Sequence, residues 1–108
     1  DFAQQIEELV AMRRSLYQRR ELLQNGLAAL GFKFAPGSCG GLFLYPDVSG
    51  LTDNPEALIL ELENKAKVRL NTPSWSGVDC YARACFSISE SEIHEALRRL
   101  ENYFPTSL

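Results

Sequence analysis

Histidine is nearly absent from this sequence: His94 is the only one. No serine or cysteine is paired with it by any motif, so a self-contained Ser–His or Cys–His nucleophile has nothing to rest on. His94 falls beside the apolar stripe of the last predicted helix, near its start, and reads as a solvated helix residue. There is no C-x-x-C. The three cysteines, Cys39, Cys80 and Cys85, form an odd, sparsely spaced set. That pattern fits reduced thiols in a cytoplasmic protein rather than a disulfide framework. Cys80 and Cys85 are five apart and face opposite sides of a strand. A zinc site from the cysteines and His94 lacks the usual ligand spacing.

Other absences exclude further classes. Neither G-x-x-x-x-G-K nor G-x-G-x-x-G occurs, so the glycines of Pro36 to Gly41 do not make a phosphate cradle. No apolar run approaches the roughly 20 residues of a membrane span. No charged n-region precedes an apolar stretch, so no signal peptide is visible. The net charge is −3 with both signs mixed along the chain. A nucleic-acid or anionic-membrane surface would instead need a basic patch. Lysine is scarce too: Lys33, Lys65 and Lys67 all fall at surface-like positions, and none lies in a recognisable Schiff-base motif. The sequence begins at Asp1 without a methionine, which suggests a processed product or an excised piece.

What remains is one α+β domain over 1–108, in the order α-β-β-α-β-β-α, with helices covering a small mixed or antiparallel sheet. Residues 1–30 read as one long helix. Phe2, Ile6, Leu9, Leu16, Leu23, Leu27 and Leu30 form a stripe whose gaps are filled by Arg13 and Arg20. Gly26 is a weak spot, and Gly31 suits a left-handed C′ position with Phe32 folding back on Leu27. Thirty residues at about 1.5 Å each span roughly 45 Å, whereas a compact domain of this size is only about 35 Å across. The N-terminal end, about 1–18, should therefore overhang and need a partner for Phe2, Ile6 and Leu9.

Lys33 to Ala35 reads as a short strand and Pro36 to Gly41 as a turn-rich loop. Leu42 to Val48 is a second strand, ending or lying at an edge because of Pro46. Asn54-Pro55-Glu56 opens a helix that buries Leu58, Ile59, Leu62 and Ala66. Lys67 to Thr72 alternates as a half-exposed strand, and Pro73 to Asp79 is a loop carrying Trp75. Ser89-Glu90-Ser91-Glu92 is a capping box for a last helix with Ile93, Leu97, Leu100 and Phe104 on one face.

The stretch with most chemical content is Tyr81 to Ser89. Ala82, Ala84, Phe86 and Ile88 alternate with Tyr81, Arg83, Cys85 and Ser87, so one strand face is apolar and the other carries Arg83. A guanidinium there either snorkels to water or meets an anion. Trp75 is either a packing residue under its loop or a ligand contact. Gly41 either serves a tight turn or lets something approach the backbone closely.

From Arg19 to Phe104 the chain resembles the small, C-terminal domain of the class I/II, fold-type I aminotransferases. The resemblance runs through Arg19-Arg20-Glu21-Leu22-Leu23 to Leu30-Gly31-Phe32, then Gly40-Gly41-Leu42-Phe43-Leu44-Tyr45-Pro46-Asp47. It continues with Val68-Arg69-Leu70-Asn71-Thr72-Pro73, Tyr81-Ala82-Arg83-Ala84-Cys85-Phe86-Ser87 and Glu95-Ala96-Leu97-Arg98-Arg99-Leu100. The loop Pro73-Ser74-Trp75-Ser76-Gly77 departs from the family's proline-glycine-x-x-phenylalanine-glycine.

The resemblance implies a pyridoxal-phosphate enzyme, homodimeric, that moves an amino group between an amino acid and a 2-oxo acid. It implies that Arg83 binds the substrate α-carboxylate, with Gly41 and Trp75 near the substrate. It also implies that the cofactor's lysine sits in a large domain that this sequence does not contain, so the chain alone would hold no cofactor and be inert. The long helix would then link the two domains. A second reading is a stand-alone α+β binding or interaction module that uses Arg83 for a small carboxylate or the exposed helix end for a partner.

Overall fold

In a computed structural model, the structure describes residues 1–35, 39–40, 42–71 and 82–104. Helix α1 (Phe2–Ala29) opens the chain, capped by Asp1, whose Oδ1 accepts the Ala3 amide at 3.3 Å. It is followed by β1 (Cys39–Gly40), β2 (Phe43–Leu44), α2 (Pro55–Glu61) with a π-helical turn at Leu62–Ala66, β3 (Ala84–Cys85), and α3 (Glu90–Tyr103). The class is α+β, three helices with a small antiparallel sheet in the order β1-β2-β3. Among the described residues every pairing is antiparallel, so of the two sheet types expected the antiparallel one forms.

Helix α1 ends as its sequence requires. Gly31 adopts φ +104°. This lets the Phe32 amide donate to Leu27 O and the Gly31 amide to Ala28 O, both at 3.1 Å, the paired bonds of a Schellman stop. A Cβ on Gly31 would also lie 2.9 Å from Leu51 Cδ2. Leu27 and Phe32, drawn together by this turn, are both fully buried. Each such side chain contributes about 1.5–3 kcal/mol relative to exposure.

The sheet differs from expectation in three places. Cys39–Gly40, expected in a loop, pairs with Phe43–Leu44 as one arm of a hairpin. Among the described residues, only Lys33 of the predicted strand at Lys33 to Ala35 joins, by a two-bond bridge to Asp47, and only Asn71 of Lys67 to Thr72 joins, by a bridge to Arg83. β2 itself ends at Leu44, ahead of Pro46, in keeping with the proline, but the backbone goes on pairing past it. The Pro46 carbonyl accepts the Ala82 amide at 2.9 Å, and the next residue, Asp47, pairs with Lys33 on the other side. Proline costs only the single donor it lacks, and the carbonyl half of the pair is kept.

The core gathers Leu23, Leu27, Phe32, Leu44 and Val48 with Leu58, Ile59 and Leu62 from α2 and its π turn, and Ile93, Leu97 and Leu100 from α3. Asn54 caps α2 through Oδ1, 3.2 Å from the Ala57 amide. Ser89 caps α3 through Oγ, 3.2 Å from the Glu92 amide, but Glu92 Oε1 accepts from the Ser89 hydroxyl at 3.0 Å rather than from its backbone. Gly26, read from sequence as a weak spot, has a packing reason. A Cβ there would lie 2.6 Å from Leu97 Cδ2, because α1 and α3 meet at this point.

The N-terminal part of α1 stands clear of this core. Only Leu23 and Leu27 of the helix are buried, while Phe2, Ile6, Leu9, Val10 and Met12 are exposed. The longest dimension of the chain is 53 Å against 31 and 24 Å for the other two.

Two outcomes follow from this packing. Gly26→Ala gains about 1 kcal/mol in helix propensity but forces Leu97 from its position, and overpacking of this kind costs about 1–3 kcal/mol. Thermal unfolding should therefore occur at a lower temperature in the variant; a raised midpoint would mean that Leu97 yields freely. Separately, amides of residues 2–10 should exchange rapidly in dilute monomer, because isolated helical turns are unstable without tertiary contacts. Slow exchange there would show that this end of the helix is stable by itself.

Candidate functional site

The alternation of Tyr81 to Ser89 takes physical form in β3 and its flanks. Ala82, Ala84 and Phe86 are buried; Arg83 is half-buried; Cys85 and Ser87 are exposed. Hydrogen bonds from Ala82 N to Pro46 O and from Phe86 N to Leu42 O bracket the β2–β3 pairing. On the other side Arg83 N donates to Asn71 O at 2.6 Å and Asn71 N donates to Arg83 O at 3.0 Å. The backbone at Arg83 is thus held from both flanks, and its side chain leaves the sheet on the face away from the helices.

There no ion pair engages the guanidinium among the described residues, and its neighbour is a ring. Arg83 Cζ lies 4.6 Å from the centroid of the Phe43 ring. Phe43 is paired with Cys85, so it shares the outward face with Arg83, two residues away along β3. Arg83 Nε is buried without a hydrogen-bond partner, and no ion pair engages the guanidinium among the described residues. A planar cation that lies over a ring and has no ion pair among the described residues is suited to an external carboxylate.

Sequence reasoning singled out Arg83 and missed Phe43. The signal was the strand parity: in the hairpin register found here Phe43 points outward while Leu44 points inward. Gly41 and Trp75, the two other predicted substrate-side residues, lie outside the described residues, as do Cys80 and Tyr81. Asp47 makes a turn: its Oδ1 accepts the Ser49 amide at 2.8 Å, which holds its carboxyl below the usual carboxylate range. His94 is exposed on α3.

Two surface grooves lie away from the guanidinium. One, about 250 Å³, is bounded by Arg13, Leu16, Tyr17 and Arg20 of α1 with Leu42 and Phe86. The other, about 550 Å³, runs between Lys65, Lys67 and the Arg98–Tyr103 end of α3. Its charges are largely internal pairs: Lys65 Nζ donates to Glu61 at 3.0 Å, and Glu95 takes both Arg98 and Arg99. Hydrogen bonds from Arg98 and then Arg99 pull the Glu95 carboxyl down to about 2.

The sequence model described as "Aminotransferase class I and II" matches residues 1–100, and the chain belongs to this family. Among solved structures it is similar to N-succinyldiaminopimelate aminotransferase from Mycobacterium tuberculosis, with 30% identity and a TM-score of 0.76 over 85% of this chain and 25% of that one. It is also similar to a mutant of Thermus thermophilus aspartate aminotransferase, with 27% identity and a TM-score of 0.76 over 89% of this chain and 26% of that one. A Pyrococcus protein shares the fold, with a TM-score of 0.81 at 18% identity over 94% of this chain and 26% of that one. No curated protein sequence matches the chain. The chain spans about a quarter of the length of the solved structures it matches.

The family in general uses pyridoxal phosphate, and none of the three lysines of this chain is placed as its Schiff-base lysine. A Schiff-base lysine is activated by desolvation in an apolar pocket or by a neighbouring cation. Lys33, Lys65 and Lys67 are all exposed, and Lys65 is bonded to Glu61. Incubating the isolated chain with pyridoxal phosphate and trapping with borohydride should therefore leave no stoichiometric label on any single lysine. One lysine labelled to completion would overturn this.

Proposed function

We propose that this chain is the small, C-terminal domain of a fold-type I, pyridoxal-phosphate-dependent aminotransferase, and that Arg83 binds the α-carboxylate of the amino acid substrate. The observation that carries the reading is the guanidinium on the outward sheet face, lying over the Phe43 ring and without an ion pair among the described residues. The similarity to the Mycobacterium and Thermus aminotransferases supports the reaction class: transfer of an amino group between an amino acid and a 2-oxo acid. The parent is a cytoplasmic homodimer, and its large domain holds the cofactor, which supplies an electron sink when bound.

In this reading the work of the chain is binding and enclosure. Arg83 presents parallel N–H donors to the carboxylate, fixing one end of the substrate. Gly41 and Trp75 flank the substrate side. The domain closes over the site and excludes water, which strengthens the contact. The N-terminal part of α1, about 1–18, runs between the domains, and the rest of the enzyme covers Phe2, Ile6 and Leu9. The chain alone is inert.

The test is Arg83→Lys in the full-length enzyme. Charge-assisted hydrogen bonds contribute about 1.5–3 kcal/mol, so kcat/KM for L-glutamate should fall roughly 10- to 150-fold. One ammonium does not reproduce two parallel donors. Thermal stability should change little, because Ala82, Ala84 and Phe86 on the buried face are untouched. Activity within about twofold of the unsubstituted enzyme would reduce Arg83 to a structural or solvated arginine.

A further inference from the structure

We infer that Phe43 is a positioning residue for substrate recognition: its ring orients the Arg83 guanidinium so that the donor edge faces the carboxylate. This rests on the reading of Arg83 as the carboxylate-binding residue. The first observation is distance. Cζ of Arg83 lies 4.6 Å from the ring centroid, well inside the roughly 6 Å over which a ring attracts a cation.

The second observation is register. Phe43 sits opposite Cys85, so Arg83 is its diagonal neighbour on the same face, a separation that long and aromatic side chains bridge. The third is the state of the guanidinium itself. Nε is buried without a partner, and no carboxylate among the described residues is paired with Arg83. Within the described fold, then, the contact that orients the guanidinium is the ring.

Geometry says what that contact achieves. A ring below a guanidinium occupies one of its faces and leaves its edge free, and the edge carries the parallel donors. A salt bridge would do the reverse, orienting the group by consuming that edge. The backbone of Arg83 is already fixed by its two bonds to Asn71, so the remaining freedom is in the side chain. An aliphatic residue at position 43 keeps much of the apolar cover but has no ring quadrupole to hold the cation.

The experiment compares L-glutamate with 4-aminobutyrate, which lacks only the α-carboxylate, in the full-length enzyme. The quantity read is the ratio of kcat/KM for the two, which does not depend on the fraction of enzyme that is folded. Phe43→Leu should lower this ratio roughly 3- to 30-fold, and Phe43→Tyr should leave it within about twofold. If the leucine variant does not fold, Phe43→Met serves the same comparison. A leucine variant that depresses both substrates equally, or leaves the ratio unchanged while Arg83→Lys collapses it, overturns the positioning role alone. A ratio that Arg83→Lys leaves unchanged overturns the carboxylate reading, and the positioning role with it.

Discussion

The antiparallel pairing of Phe43–Leu44 with Ala84–Cys85 is the constraint on which the rest of the site depends. Leu44 and Ala84 are paired and buried, so their neighbours Phe43, Arg83 and Cys85 must point the other way. A slip of one residue in β3 would send the guanidinium into the core and Ala84 into water, and a slip in β2 would send Leu44 into water. The first error is the costlier, since a buried charge without a partner is far more expensive than a lost apolar contact. The same apolar packing that stabilises the fold therefore aims Arg83 outward. Ala82, Leu44 and Phe86 act as the register lock, and the bridge from Arg83 to Asn71 stiffens the strand from its free side.

Much of this was legible in the sequence because period and parity are local properties. The α1 stripe, the Asn54-Pro55 and Ser89 caps, the Gly31 stop and the outward setting of Arg83 all follow from residues within a few positions of one another. What was not legible depends on which segment lies beside which. The ring under Arg83 comes from a strand about forty residues earlier, and nothing near Arg83 names it. Cys39–Gly40 pairs only because β2 follows at once, and the glycine-rich composition hid this behind a loop signal. Pro46 was legible as the end of β2, which stops at Leu44; that its carbonyl still accepts from Ala82 was not, because the rule against proline concerns a donor.

The helices show the same division. The apolar stripe of α1 was visible along its whole length, but the stripe cannot say how much of it this chain covers. Leu16 packs half-buried on the core and full burial begins at Leu23, while Phe2, Ile6 and Leu9 lie open. Gly26 looked like a defect in a helix and is a point where α3 packs against α1, its Leu97 filling the space a Cβ would take. The π turn at Leu62–Ala66 and the left-handed Lys67 after it carried no sequence signal, since glycine or asparagine is the usual sign of such a stop. Arg99 donates to Lys67 O at 3.1 Å, so a tertiary contact helps to hold what local preference disfavours.

The choice of an aromatic ring beneath Arg83 has a logic that a salt bridge would defeat. A half-buried guanidinium needs something to offset its partial loss of water. A carboxylate would do so most strongly, but it would neutralise the charge and occupy the donors, and any external carboxylate would then have to displace it. The ring attracts the cation more weakly and leaves its formal charge and its donor edge intact. On this face the weaker partner is the one compatible with recognition. Phe43 keeps Arg83 oriented while leaving its strongest interaction unspent, and the same parity that buries Leu44 puts that ring beneath the guanidinium.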